Sequence, residues 1–274
     1  MVGVFCSSNK PKLWPHLYMS LAQNKTEFNL CIAGPNTPEY DLPPNFKYIK
    51  TNVKPAQCYF IAACNTDGDL LYQIGDDTQL TPYGSLDSMV DMLSDDNTII
   101  TPEYVVATPN YTGDYCIDCN VIAMSTEGVT KYINLRYPYP TSFLMRRKTF
   151  MDIGIDKNYL GSFWERDLSF ELISRGGKVL IDSNSVLQEF NNDNSDDRLS
   201  LSCRGDAGYM MYVWTEEKQV KSPNEVSINF KYPPGNKLIE CQLRNKRLVP
   251  IDPIIYTDDI LKVSQGNNIP ERWD

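Results

Sequence analysis

Within the first 80 residues, short apolar runs alternate with stretches whose apolar residues recur at helical spacing, and this alternation restricts the chain to few architectures. Val2 to Cys6 reads as a strand and runs into the polar turn Ser7-Ser8-Asn9. Trp14, Leu17, Tyr18 and Leu21 then stand at i, i+3, i+4 and i+7, on one face of a helix. Phe28 to Ala33 reads as a second strand, stopped by Gly34-Pro35, and Tyr48-Ile49 as a short extended piece. Ala56, Tyr59, Phe60 and Ala63 repeat the helical spacing, with Pro55 suited to the first turn. Leu70 to Ile74 is the next strand, and it leads into Gly75-Asp76-Asp77. Successive βα units predict a parallel sheet covered by helices. Ligands of such sheets gather beyond the carboxyl ends of the strands, which is where Asp76 and Asp77 fall.

Further along, Leu86, Met89, Val90 and Leu93 mark a helix opened by Thr81-Pro82. The stretch from Thr98 to Tyr139 reads as strands and loops, and a helix-like segment follows from Arg147 to Ile153. A clearer helix begins near Trp164 and stops at Gly176-Gly177. Lys178 to Asp182 and Val186 to Phe190 read as two short strands, and Ala207, Met210, Met211 and Trp214 as a last helix. Beyond about Glu217 the chain is rich in Pro, Asn and Lys and reads as irregular. The expected organisation is an α/β domain over residues 1–217 with a C-terminal extension over 218–274. Within the domain, 1–97 would form one half and 98–217 the other. The expected fold is a mostly parallel central sheet flanked by helices, with a smaller mixed β region.

Composition narrows the function classes. The 274-residue chain is 42% hydrophobic, which suits a globular core. Its net charge of −9, with Lys and Arg scattered, lacks the concentrated basic surface of a nucleic-acid binder. A small anionic ligand remains compatible, since a few amides and one metal can hold a diphosphate. No apolar run approaches the roughly 18–20 residues that span a bilayer. No basic region followed by an apolar core opens the chain, so a cytoplasmic location is the expectation. Of eight cysteines, Cys116 and Cys119 form the only CxxC, and no second pair stands near it to complete a zinc site. Reduced, packed cysteines are expected.

Two acidic segments could carry chemistry. Asp76-Asp77 at a strand end can offer hard oxygen ligands to Mg²⁺ or Mn²⁺, although aspartates also cap turns. Trp164-Glu165-Arg166-Asp167-Leu168 follows Gly161 and enters a helix. One of its carboxylates can act as a general base, although acidic first turns also complement the helix dipole.

Taken in order, GDLLYQIGDDTQL, FLMRRKTFMDIGI and LGSFWERDLSFELISRGGKVLID resemble the large inverting family of A-type-fold glycosyltransferases, over roughly residues 1 to 215. The resemblance implies transfer of a sugar, with inversion, from a nucleotide-diphosphate sugar to a hydroxyl of a glycan or other acceptor, assisted by Mn²⁺ or Mg²⁺. It implies Asp77 as metal ligand, with Asp76 as its partner toward the metal and the donor. Glu165 matches the position of the base, and Asp167 is the second candidate. Ser7, Asn36 and Lys54 fall on the donor side, and Trp164, Arg146 and Arg147 on the acceptor side.

The chain departs from the pattern in places. Gly34-Pro35-Asn36-Thr37 stands where the family often has an acidic base-reading residue. The only histidine is His16, on the first helix, and Gln188 or Glu189 is nearest to the place of the family's metal-binding His. Two alternatives remain. A sugar nucleotidyltransferase would share the sheet, but Cys6-Ser7-Ser8-Asn9-Lys10-Pro11 lacks the expected glycines. An inactive relative that binds a glycan or a partner protein would share the motifs. The sequence carries no signal for oligomeric state.

Overall fold

A computed structural model describes residues 1–105, 115–116, 140–189, 206 and 247–248. Its strands are β1 (Val2–Ser7), β2 (Phe28–Gly34), β3 (Phe46–Lys50), β4 (Leu70–Gln73), β5 (Thr78–Thr81), β6 (Thr98–Val105), β7 (Tyr115–Cys116), β8 (Phe143–Arg146), β9 (Ile155–Asp156), β10 (Lys178–Glu189) and β11 (Arg247–Leu248). The helices are α1 (Trp14–Ala22), α2 (Pro55–Cys64), α3 (Ser85–Met92), α4 (Arg147–Ile153) and α5 (Trp164–Ser174).

A nine-stranded sheet runs β3-β2-β1-β4-β8-β6-β10-β5, with β7 beside β6. β1 to β4, β6 and β10 point one way, and β8, β5 and β7 oppose their neighbours. The mostly parallel sheet expected from the alternation is therefore present.

Strand alternation divides the apolar residues between two faces. Phe5, Leu71, Ile99, Phe143 and Met145 pack with Phe60, Ile61, Phe150, Trp164 and Leu168 of α2, α4 and α5. Val4, Tyr72, Ile100 and Leu144 pack with Trp14, Leu17, Leu21, Leu86 and Met89 of α1 and α3. Each fully buried Leu or Phe contributes about 1.5–3 kcal/mol, so both helical layers are firmly seated. Among the described residues no helix is long and apolar enough to cross a membrane.

Two local features differ from the sequence reading. α1 buries the expected stripe of Trp14, Leu17 and Leu21, but α2 is buried on nearly every side. Its outer side is covered by the loop after β9, where Gln57 donates to the carbonyl of Lys157 at 3.1 Å. The two strands expected around residue 184 are one, β10, interrupted by a bulge between Asp182 and Val186. The polar run inside it is satisfied locally, since Asp182 accepts the Asn184 amide at 3.0 Å and the Ser185 hydroxyl at 2.5 Å.

Cys6, Cys31, Cys58 and Cys64 are buried thiols outside any disulfide, and burial pushes those of Cys31 and Cys64 up to about 12. Such thiols are inert packing groups. The expected helix at 207–214 and most of the extension lie outside the described residues. Arg247 and Leu248 pair antiparallel with Asp156 and Ile155.

Candidate active site

The site is built at the carboxyl ends of β1, β2 and β4. Ile74 extends the β4 pairing by donating to the Phe5 carbonyl at 3.3 Å. The chain then turns at Gly75, and the Thr78 hydroxyl closes the turn on the Gly75 carbonyl at 2.8 Å. Asp76 and Asp77 form the tip of that turn, between β4 and β5.

Ser8, just past β1, fixes Asp76. Its hydroxyl accepts the Trp14 indole N–H at 2.6 Å and the Lys10 amide at 3.0 Å. It donates to Asp76 Oδ2 at 2.5 Å. Gly34, at the end of β2, lets the Ser8 turn come close, because a β-carbon there would stand 1.7 Å from the Ser8 carbonyl oxygen. The turn is held to β2 through the Ser8 amide and the Ala33 carbonyl, 3.1 Å apart.

The two carboxylates crowd one another. Burial, and after it the charge of Asp77, pushes the Asp76 carboxyl up to about 7, against the pull of Ser8 and Lys10. Burial also raises Asp77, opposed by its own backbone hydrogen bond and by Lys10. A divalent cation relieves this kind of repulsion, and paired hard oxygens suit Mg²⁺ or Mn²⁺, so the residues fit such an ion. Among the described residues no group of three or more His, Cys, Asp or Glu side chains gathers to hold one. The β10–β5 register sets Glu189 opposite Thr78, one residue past Asp77, and Gln188 accepts from Gln79 at 3.0 Å.

The second acidic segment reaches the same place from α5. Phe163 takes a left-handed backbone, φ 63°, and starts the helix. Trp164 is buried against Tyr59, ring centroids 5.1 Å apart, and against Phe143 at 6.0 Å. Glu165 and Asp167 are two residues apart and so project from nearly opposite sides of the helix. Glu165 is half-buried, whereas Asp167 is 1% exposed.

Tyr59 on α2 ties the two segments together. Its phenol is pushed well above the ordinary value by burial first, then by the charges of Cys6, Glu165, Asp76 and Asp77. Glu165 and the Asp76–Asp77 pair thus act on one hydroxyl, whose ring packs against Phe5 and Trp164.

Other expected site residues lie elsewhere. Arg146 pairs with Leu70, at the opposite end of β4 from Asp76, roughly 20 Å away at 3.3 Å per residue. It makes an exposed ion pair with Asp96 at 3.4 Å. Arg147 donates to the carbonyls of Gly68 and Ala63 and to the Thr66 hydroxyl, at 2.5, 2.9 and 2.8 Å. Both arginines therefore brace the amino edge of the sheet, at the opposite end of β4 from the acidic turn, and do not gather beside it. Lys54, 3% exposed, points its ammonium at the Lys157 carbonyl under the loop after β9. Burial draws its pKa down to about 8, against the charges of Asp206 and Asp156. Asn36 is exposed and bonds the Asn9 carbonyl at 2.7 Å, joining the turns after β2 and β1. Ser7 is buried as the last residue of β1, and its neighbour Ser8 makes the contact to Asp76.

Sequence reasoning missed Ser8, Trp14 and Tyr59 as site residues. One signal was available, because a core tryptophan must find an acceptor for its indole N–H.

No family model and no curated relative matches the chain. Solved structures do. The crystal structure of S. aureus TarS 1–349 superposes with a TM-score of 0.52 at 11% identity, over 77% of this chain and 63% of that one. The same TarS fragment in complex with UDP gives 0.51 at 11% identity over the same shares, 77% and 63%. GalNAc-T7 with UDP, GalNAc and Mn²⁺ gives 0.57 at 13% identity, over 80% of this chain and 48% of that one. The chain thus spans less than two thirds of these proteins. Together with the sheet order and the helices on both faces, the likeness establishes an α/β architecture of the glycosyltransferase A type.

Proposed function

We propose that the chain is a glycosyltransferase that moves a sugar from a nucleoside-diphosphate sugar to an acceptor hydroxyl, with inversion and with a divalent metal. One observation carries the reading: the acidic turn stands at the carboxyl end of β4, and the acidic start of α5 is anchored through Trp164 on Tyr59, whose phenol feels the charges of both segments. Inverting transfer needs charge neutralisation on one side of the anomeric carbon and a single base on the other, with no protein nucleophile. UDP and Mn²⁺ in the solved GalNAc-T7, and UDP in TarS, support the choice of donor class and cofactor.

In this reading Asp77 and Asp76 hold Mn²⁺ or Mg²⁺, which when bound neutralises charge on the diphosphate leaving group. Ser8 keeps one Asp76 oxygen engaged and so fixes the carboxylate's rotation. Glu165 accepts the proton of the acceptor hydroxyl, and Trp164 anchors the helix start that presents it. Tyr59 lies in the field of both acidic groups and stays protonated, as its raised pKa requires. Asn36, on the rim beyond β2, faces the donor side, and Asp167 orients α5 from the core.

The test combines thermal shift with turnover. UDP with Mn²⁺ should raise the melting temperature by mass action, and UDP with EDTA should do so far less. With UDP-glucose, UDP-N-acetylglucosamine or UDP-N-acetylgalactosamine as donor, Glu165→Gln should bind normally yet turn over about 10²–10⁴-fold more slowly. Asp167→Asn should cost less. Mn²⁺-dependent UDP binding without turnover of any nucleotide-sugar would favour the inactive binding protein instead. A dead Asp167 variant beside an active Glu165 one would exchange their roles.

A further inference from the structure

The loop between β9 and α5 is fastened along its whole length. The carbonyl of Lys157 accepts from Lys54 and from Gln57, and the Leu160 carbonyl accepts the Ala56 amide at 3.1 Å. On the other side, three successive amides converge on one carboxylate. Leu160 N–H meets Asp206 Oδ1 at 2.8 Å, and Gly161 and Ser162 N–H meet Oδ2 at 2.7 and 2.9 Å.

Asp206 is 2% exposed, so this is a buried anion held in a nest of backbone dipoles. The buried Lys54 ammonium lies within its field. A buried carboxylate is costly unless its oxygens are saturated with donors, and here three amides do that. The loop runs directly into Phe163, whose left-handed turn starts α5 and sets the direction of Glu165.

We infer that Asp206 is the positioning residue for Glu165, gathering the amides of 160–162 so that α5 begins at a fixed place and angle. This rests on the reading of Glu165 as the base. Asp206 touches no substrate. It acts by holding the loop to the geometry that transfer demands, where a shift of about 1 Å in the reacting groups costs about 10²-fold in rate.

The test uses the full chain and Asp206→Asn, which keeps shape but turns an N–H group toward the amides, and Asp206→Ala, which empties the nest. Hydrogen exchange in peptides spanning 157–164 should quicken at least about tenfold in either folded variant. With a UDP-hexose donor and Mn²⁺, kcat should fall about 10–100-fold while the donor KM stays within about twofold. Acetate or formate, by refilling the nest of the Ala variant, should restore part of both protection and kcat, an effect that general loosening of the fold would not give. If Asp206→Ala does not fold, exchange and kcat of Asp206→Asn decide. Unchanged exchange at 160–162, or unchanged kcat in a folded variant, overturns the inference. A wild-type chain that turns over no nucleotide-sugar removes the function reading, and the exchange data then separately uphold or overturn the latch.

Discussion

Replacing Asp76 by Asn isolates the electrostatic cost of the acidic turn. The carboxyl is raised from 3.8 to about 7, so its contribution to stability is full below about pH 3.8 and lost once pH has risen through about 7. Folded and unfolded chains carry the same proton at low pH. Between these values only the unfolded chain ionises, and folding weakens with each step. A shift of roughly three units at 1.36 kcal/mol each sets a ceiling of about 4 kcal/mol. Solvent reaches part of the side chain and screens it, which brings the expected cost to about 1–2 kcal/mol. Asp76→Asn removes that cost and keeps an oxygen for the Ser8 hydroxyl. In EDTA the variant should therefore melt about 2–8 °C above wild type at pH 8 and level with it at pH 4, given about 2–4 °C per kcal/mol for a chain of this size. Adding Mn²⁺ at pH 8 should reverse the order, because the ion stabilises the pair and the variant holds it poorly. Thermal melts at both pH values, with EDTA and with Mn²⁺, give the four numbers needed. An equal difference at pH 4 and pH 8 would refute the crowding argument, and an equal Mn²⁺ response in both proteins would refute the metal role.

Ser8→Ala removes a hydrogen bond to a charged group worth about 1.5–3 kcal/mol and leaves the Trp14 indole without its acceptor. Mn²⁺–UDP affinity measured by calorimetry should fall about tenfold, and unchanged affinity would show that Asp76 needs no such brace. Gly34→Ala sets a methyl against the Ser8 carbonyl and should cost about 2–3 kcal/mol in urea melts, with donor binding lost alongside. Near-native stability there would mean that the turn gives way freely. Arg147→Met should lower stability by about 2–4 kcal/mol with turnover per folded molecule unchanged. A selective change in acceptor KM at unaltered melting temperature would return Arg147 to the acceptor side.

The parts of the fold legible in the sequence are those fixed by short-range pattern. The stripe Trp14, Leu17, Leu21 and the run from Leu70 into Gly75-Asp76-Asp77 both obey one periodicity and end on turn residues. α2 escaped because burial on all sides blurs the 3.6-residue signal, and what covers it comes from some hundred residues downstream. β10 was divided because Asp182-Ser183-Asn184-Ser185 looks like a loop when its partners are unknown. Within the site, the acidic segments could be found by position on a strand end and a helix start. The direction of a side chain could not. Arg146 and Arg147 follow a strand that runs antiparallel to β4, which carries them to the opposite edge. Lys54 precedes a helix that faces the site, but its own side chain turns under the loop. The choice of Ser8 over Ser7 depends on a single residue at the end of β1, below the resolution of any pattern.

The loop ahead of α5 is held on one side by α2, made before it, and on the other by chain made later. Asp206 grips residues 160–162, and Arg247 and Leu248 pair with β9 just before them. Every contact of the acidic turn reported for Ser8, Trp14 and Gly34 lies within the first 77 residues. On a ribosome adding about 5–20 residues each second, these two parts of the site become possible at different times. The turn can form while most of the chain is unmade, whereas the helix start bearing Glu165 must wait some 40 residues for its anchor, a delay of several seconds. Under the proposed function, a nascent chain would pass through a stage with a finished cation pair and an unfastened base, in which a nucleotide could be held before it could be acted on.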